Sequence, residues 1–310
     1  NVIGIDNLND YYDIRLKEKR LEILNEVTLE KDRWKFFKTD LTNKDLLLSI
    51  FEKYEPKKVV NLAAQAGVRY SLTNPEEYVY SNQLGFFNIL NFCKKRKIKL
   101  IYASSSSVYG EYKKFPTKEW QSLNPKNIYS ATKMGNEIFA EIFSNFYNLE
   151  IIGLRFFTVY GEWGRPDMAL FKFTKAILDS TPIDVFNRGE MYRDFTYVDD
   201  LVRAISKLMH CAPEAVDKKY RGDSLSENAP WRVLNIGNSR PEKLSKFIGL
   251  LEMELGREAI KNYLPLQPGD VLKTWADCSL LVDLIAYKPD TPVQVGIRKF
   301  VEWYRSYYRL

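Results

Sequence analysis

The sequence predicts an α/β fold, a doubly wound parallel sheet carrying a smaller C-terminal lobe, and three observations predict it. Helix-length amphipathic stretches alternate with short apolar runs through the first half of the chain, which argues for parallel strands with crossover helices on both faces. One of those runs ends in four consecutive serines, Ser104 to Ser107, at the carboxyl end of a strand, where open α/β sheets bind ligands. Beyond Tyr160 the alternation changes rhythm, which marks the second lobe.

Residues 1–6 (NVIGID) read as a short strand ending in a carboxylate, and residues 12–26 as a charge-rich helix. The pattern repeats as strand 34–38, helix 44–54, strand 58–62, helix 75–95 and strand 98–104. Helix 127–147 and strand 150–157 follow. Then come a loop at 161–167, helix 168–180, strands 183–186 and 193–198, and helix 198–210. Residues 213–230 are polar and read as a mobile surface excursion. Strand 231–236, helices 242–255 and 278–286, and an aromatic-rich helix 293–308 close the chain. The sheet domain is assigned residues 1–160 with 193–237, and the smaller lobe 161–192 with 238–310.

A chain of 310 residues with 45% hydrophobic and 28% charged residues has ordinary globular composition and the length of about two domains. Lys and Arg total 46 against 40 Asp and Glu, and the net +6 is spread along the chain. A nucleic-acid binder would concentrate that excess in a stripe, so a small anionic ligand is the better expectation and nucleic acid is not a partner. His210 is the single histidine, which argues against Ser-His-Asp and Cys-His nucleophile systems and multi-histidine metal sites. Catalysis must run on Tyr, Lys, Ser, Asp or Glu, and no metal is expected. Cys93, Cys211 and Cys278 are odd in number and far apart, which points to a reducing compartment. No apolar stretch approaches the ~18 residues that span a bilayer, and the opening residues lack a secretory pattern, so the expectation is a cytoplasmic protein without a membrane partner.

Tyr129 and Lys133 stand four residues apart near the start of a helix and therefore share a face. An ammonium beside a phenol favours the phenolate, which makes the tyrosine a usable general base. The alternative is an ordinary exposed pair, and for each serine of the 104–107 run it is a polar turn. Asp6 and Asp40 each close a strand, as does a carboxylate that accepts hydrogen bonds from an adenosine ribose; helix capping is the other reading. The small residues of NLAAQAG, 61–67, allow close backbone approach to a ligand or tight helix–strand packing.

The motifs GIDNLNDYYD, TDL, LAAQAGVRYS, SNQLGFFNIL, YASSSSVYG, YSATK, LRFFTVYG, GRPDMALFKF, RDFTYVDD, NIGN and QPGDV run through the whole chain in order. In them the chain resembles the extended short-chain dehydrogenase/reductase family, most closely its nucleotide-sugar 4-epimerases acting on UDP-glucuronate. The resemblance implies a Rossmann-type sheet, NAD as cofactor, a UDP-sugar substrate, a homodimer and a place in capsule or cell-wall polysaccharide synthesis. The family opens with a strand, a GxxGxxG turn and a helix that hold the NAD pyrophosphate, about 25–30 residues that nothing before Asn1 supplies. The expectation is thus an N-terminally truncated chain with weakened NAD binding. An inactive remnant that only binds nucleotide-sugar is one alternative, and a UDP-hexose 4-epimerase another.

Carried onto this sequence, the resemblance makes Tyr129 the base at the sugar 4-hydroxyl, with Lys133 lowering its pKa and bonding the nicotinamide ribose. Ser105 would bond the same sugar oxygen. Asp6, Asp40 and Leu41 would hold ribose and adenine, Ala63, Ala64 and Asn82 would lie along the cofactor, and Phe156 would lie against the nicotinamide. Arg193 would pair with the diphosphate, Asp270 would bind the uridine ribose, and Gln267 stands where several UDP-hexose epimerases carry an arginine. Related dehydratases and decarboxylases place carboxylates where this chain has Ser106 and Ser107, so elimination and loss of CO₂ are not promoted. Arg165 is the implied partner of a sugar carboxylate, with Thr158 a neutral donor beside it.

Overall fold

The computed structural model describes residues 1–28, 33–211, 213, 222–267 and 270–310. Its first half runs β1 (Val2–Asp6), α1 (Ile14–Val27), β2 (Trp34–Lys38), α2 (Lys44–Tyr54) and β3 (Lys58–Asn61). Two single turns, α3 (Tyr70–Thr73) and α4 (Pro75–Tyr78), precede α5 (Gly85–Arg96), β4 (Lys99–Ser105), α6 (Ile128–Tyr147) and β5 (Ile151–Phe156). The second half holds β6 (Thr158–Tyr160), α7 (Ala169–Leu178), β7 (Ile183–Phe186), β8 (Tyr192–Tyr197), α8 (Val198–Leu208) and β9 (Trp231–Ile236). It ends with β10 (Pro241–Lys243), α9 (Leu244–Leu255), β11 (Lys261–Leu264), α10 (Ser279–Ile285) and α11 (Val293–Tyr308).

Strands β3, β4, β5 and β9 form a parallel sheet in that order, and β1 pairs with β2 in parallel. The sheet that the sequence predicts as one unit therefore lies in two parts, with no ladder between β1 and β3 among the described residues. Every residue of β4 and β9 is buried, as strands covered on both faces must be. Side chains alternate between two clusters, as a period of two requires. Leu100 and Tyr102 of β4 meet Phe86 and Leu90 of α5 and Phe143 of α6, while Ile101 joins Leu201 and Ile205 of α8 and Leu281 of α10. A third cluster gathers Phe171, Phe195, Phe247, Ile297 and Phe300 from α7, β8, α9 and α11. Leu16 of α1 buries into it, so α1 packs against the second lobe as well as following β1.

Three expectations are corrected. The helix expected over 75–95 is interrupted by a π-type turn, Val79–Leu84. There Asn82 turns inward to the loop after β3, and a wider turn lets it do so. Strands β6, β10 and β11 were not expected, because three or four residues are too few to show a period. Residues 214–221 of the polar 213–230 stretch lie outside the described residues, but its end is packed. Arg232 of β9 forms a buried fork with Asp223 at 2.9 Å, and Leu225 and Ala229 are buried. Among the described residues no helix is long and apolar enough to cross a membrane.

Two helical glycines separate packing from propensity. A Cβ on Gly296 of α11 would lie 2.2 Å from the Tyr160 hydroxyl, whereas one on Gly249 of α9 would meet nothing within 4 Å. We expect Gly296→Ala to lose about 1–3 kcal/mol through overpacking and Gly249→Ala to gain about 0.5–1 kcal/mol of helix stability. Urea unfolding of both variants checks the opposite signs.

Candidate active site

Asn127 caps α6: its side chain accepts the Ser130 backbone N–H at 2.9 Å, and the Ser130 hydroxyl accepts the Asn127 N–H at 3.2 Å. This box fixes the first turns of α6, which carry Tyr129 and Lys133. The Lys133 ammonium is buried and donates to the Ala103 carbonyl of β4 at 2.7 Å. Burial pushes its pKa down to about 8, against the opposing charge of Glu137. Burial also raises the Tyr129 phenol above its ordinary value, while the Ser105 hydroxyl and the Arg165 charge pull it back. The sequence reading made Lys133 the group that lowers this pKa. In the structure its ammonium donates one bond to the Ala103 carbonyl, and the groups that lower the Tyr129 pKa are Ser105 and Arg165.

Ser105 ends β4 directly opposite Phe156 at the end of β5. Its side chain accepts from the Ser107 backbone N–H at 3.2 Å and donates to the Ser107 hydroxyl at 3.1 Å. Those bonds start the 3₁₀ turn Ser106–Tyr109, so Ser105, Ser106 and Ser107 stand together where β4 stops. Tyr78 sets its ring edge-on to Tyr129 at 6.2 Å, and its hydroxyl donates to the Ala66 carbonyl at 3.1 Å. The loop after β3 is thereby tied to the tyrosine.

That loop forms one wall of a cleft of about 180 Å³. Asp6, Asp40, Leu41, Ala63, Ala64 and Arg165 all line it, which joins the expected adenosine-side residues to the expected carboxylate partner. Burial works to raise the Asp40 carboxyl, but the Thr42 backbone and hydroxyl and the Asn7 amide together hold it below the usual carboxylate range. Asn82 does not present its amide to the cleft. Its oxygen accepts the Gln65 N–H at 2.8 Å, and its nitrogen donates to the Gln65 carbonyl and the Thr132 hydroxyl, each at 3.0 Å.

Arg165 lines the cleft and acts through its charge on Tyr129. Its Nε and Nη2 fork onto Asp167 at 2.9 and 2.7 Å, and Tyr11 donates to the same carboxylate at 3.2 Å. Thr158 opens β6, beside Phe195 of β8. Arg193, Gln267 and Asp270 form a second group: Asp270 donates its N–H to the Gln267 carbonyl at 3.2 Å, and its charge opposes the downward pull of burial on Arg193. Arg69 completes this group, 3.6 Å from Asp270 and over the Phe186 ring at 4.3 Å. Pro268 and Gly269 of the QPGDV motif lie outside the described residues. Sequence reasoning missed Tyr11, Arg69, Asp167 and Glu137. Only Glu137 left a local signal, since it continues the Tyr129–Lys133 spacing by another four residues.

A family model described as the NAD dependent epimerase/dehydratase family matches residues 1–220. The chain is 50% identical to "Protein CapI" of Staphylococcus aureus, over 99% of this chain and 92% of that protein. It is 43% identical to a "Probable UDP-glucuronate 4-epimerase" of Rhizobium meliloti (strain 1021), over 99% of this chain and 91% of that one. Among solved structures, the UDP-glucuronic acid 4-epimerase from Bacillus cereus in complex with UDP-glucuronic acid and NAD superposes with a TM-score of 0.87 at 31% identity, over 99% of this chain and 92% of that one. A family match over most of the chain, relatives aligned along nearly its full length and a tyrosine–lysine–serine group at the strand ends agree: the chain belongs to the NAD dependent epimerase/dehydratase family.

Proposed function

We propose that this chain is an NAD-dependent UDP-sugar 4-epimerase that interconverts UDP-glucuronate and UDP-galacturonate through a transient 4-keto sugar. The observation that carries the reading is the convergence of Tyr129, Ser105 and Arg165: a phenol on the capped first turn of α6, in contact with the Ser105 hydroxyl at the end of β4 and within reach of the Arg165 charge. The residues lining the cleft suit the adenosine end of the cofactor. The Asp6 carboxylate is exposed at its rim, and Ala63 and Ala64 offer a wall with almost no side chain. Asp6, Asp40 and Leu41 would hold the adenosine end, Ala63 and Ala64 would lie along the cofactor, and Lys133 and Phe156 would meet the nicotinamide end. Bound NAD supplies hydride exchange at the sugar C4.

The side chains do the rest. Tyr129 removes the proton from the 4-hydroxyl while Ser105 hydrogen-bonds the same oxygen, and Tyr129 returns the proton after the keto sugar has turned over. Arg193, Asp270 and Gln267 hold the UDP portion. Asp167 occupies Nε and Nη2 of Arg165 among the described residues, which leaves Nη1 for the sugar carboxylate. Ser106, Ser107 and Thr158 add neutral donors there, and hydrogen bonds to that carboxylate restrain it from rotating into the orientation that loses CO₂. In this reading the cofactor lies in residues 1–160 with 193–237 and the UDP-sugar extends into 161–192 with 238–310. The three free cysteines support a cytoplasmic location.

The same reading gives a homodimer through the α5 and α6 faces. Of the aromatics on these helices, Phe86 and Phe143 are buried in the chain's own core and Phe139 packs partly against it; Phe87 is exposed. The outward stripe is instead Ile138, Ile142 and Phe146 of α6 with Tyr80, Leu84 and Phe87, and Phe146 at 77% exposure is an apolar surface that a second copy would cover.

Tyr129→Phe removes one ionisable oxygen and little volume. Its kcat for UDP-glucuronate is expected to fall by roughly 1,000-fold or more, with UDP-sugar affinity by calorimetry close to the parent; turnover within tenfold of the parent would remove Tyr129 as the base. Arg165→Gln is expected to lower kcat/KM for UDP-glucuronate by roughly 100-fold more than for UDP-glucose, because both sugars lose the charge acting on Tyr129 but only the glucuronate loses bonds to a carboxylate. Equal losses on both sugars would favour the UDP-hexose reading. Ile142→Glu is expected to convert a dimer to a monomer in sedimentation velocity, and a parent that sediments as a monomer at micromolar concentration refutes the dimer.

A further inference from the structure

Behind the reacting groups lies a charged cluster that touches neither the cleft nor the bulk solvent. Glu137 stands on α6 one turn beyond Lys133, and Arg155 stands on β5 one residue before Phe156; each side chain is 4% exposed. Arg155 forks onto Glu137 through Nε to Oε1 at 2.9 Å and Nη2 to Oε2 at 2.7 Å. The Ser104 hydroxyl donates to the same Oε1 at 2.5 Å. The remaining nitrogen, Nη1, donates to the Tyr109 hydroxyl at 2.9 Å and to the Glu119 carbonyl at 2.8 Å. Tyr109 in turn donates to Asn235 Oδ1 of β9 at 2.7 Å.

Each segment tied here carries a group of the proposed reaction. Glu137 shares its helix face with Tyr129 and Lys133. Ser104 directly precedes Ser105, and Tyr109 ends the turn that holds Ser106 and Ser107. One guanidinium therefore fastens the helix of the base to the strand end of its hydrogen-bond partner. We propose that the Glu137–Arg155 pair is a positioning element for the reaction at Tyr129, fixing α6 against the ends of β4 and β5 so that the phenol and Ser105 meet the same sugar oxygen. The proposal rests on Tyr129 being the base.

Stability alone does not account for the cluster. Burying two charges costs about as much as their attraction returns, and apolar pairs of similar volume often replace such bridges without loss. Electrostatics gives the pair a second effect. The titratable groups of this buried patch are Lys133, Glu137 and Glu141 on α6, Tyr102 on β4, Tyr109 on the turn after it, Glu119, whose carboxyl burial raises to about 7, and Arg155 on β5, with Arg165 acting on Tyr129 from the loop after β6. Glu141 accepts from the Ser226 hydroxyl at 2.9 Å. Glu137 is the group whose charge sustains the Lys133 ammonium against burial.

The test uses Glu137→Gln, Arg155→Lys, Ser104→Ala and the apolar double variant Glu137→Leu/Arg155→Met. Measurements are thermal melting, kcat and KM with UDP-glucuronate, and the titration of Lys133 followed by ¹³Cε NMR, its signal identified by loss in Lys133→Met. The double variant is expected to melt near the parent and keep KM within about threefold, with kcat down by roughly 100-fold. Glu137→Gln is expected to move the Lys133 midpoint down by about one pH unit. Ser104→Ala, which leaves the ion pair whole, and Arg155→Lys, which keeps its charge, are expected to lose less, and they serve where the others do not fold. A folded double variant with parental kcat overturns the positioning role, as does a kcat loss that only tracks the folded fraction. A parent without turnover refutes the epimerase assignment, and in that case an unmoved Lys133 midpoint overturns this proposal separately.

Discussion

Parallel pairing of β4 with β5 sets Ser104 beside Arg155 and Ser105 beside Phe156, in one register at one edge of the sheet. Strands paired in parallel all end on the same side, so residues distant in sequence reach that edge together. The helix α6 crosses over this pair, and its capped first turns place Tyr129 and Lys133 above the strand ends. A slip of one residue in either strand would turn Ser104 and Arg155, which now share a face, to opposite faces. Tyr129, Ser105 and the buried fork all depend on that pairing.

Charge near this edge is handled by giving each ion a named partner before it leaves water. Lys133 has the Ala103 carbonyl, Arg155 has Glu137, and Arg165 has Asp167. Asp194 of β8 follows the same rule without a cation: it accepts backbone N–H bonds from Asn238, Ser239 and Ala276, while burial still raises its pKa to about 6. Buried ions without such partners would shift their pKa and neutralise instead.

The two lobes are held together by the segment after β1 as well as by the sheet. Tyr11 reaches Asp167, Arg20 donates to the Trp163 and Gly164 carbonyls, and Leu16 enters the aromatic cluster of the second lobe. Arg165 sits at this junction, held by Asp167, which also accepts from Tyr11.

By itself the sequence determined the order and type of nearly every long element, because period and length are local properties: 34–38, 44–54, 183–186, 231–236 and 293–308 agree with the structure residue for residue. It also supplied the tyrosine, lysine and serine at the strand ends, since four-residue spacing on a helix and a serine run after a strand are visible without a fold. Tertiary structure alone decided the pairing partners. Arg155 reads as one charge in an apolar strand and Asp167 as one loop carboxylate, and nothing local says that the first meets Glu137 or that the second already holds Arg165. The same holds for Asn82, which bonds Gln65 and Thr132, residues far from it in sequence. Short strands and the inward turn of Phe86 and Phe143 were likewise beyond sequence, because a three-residue strand has no period and a helix with apolar residues on two faces does not reveal which one meets the sheet.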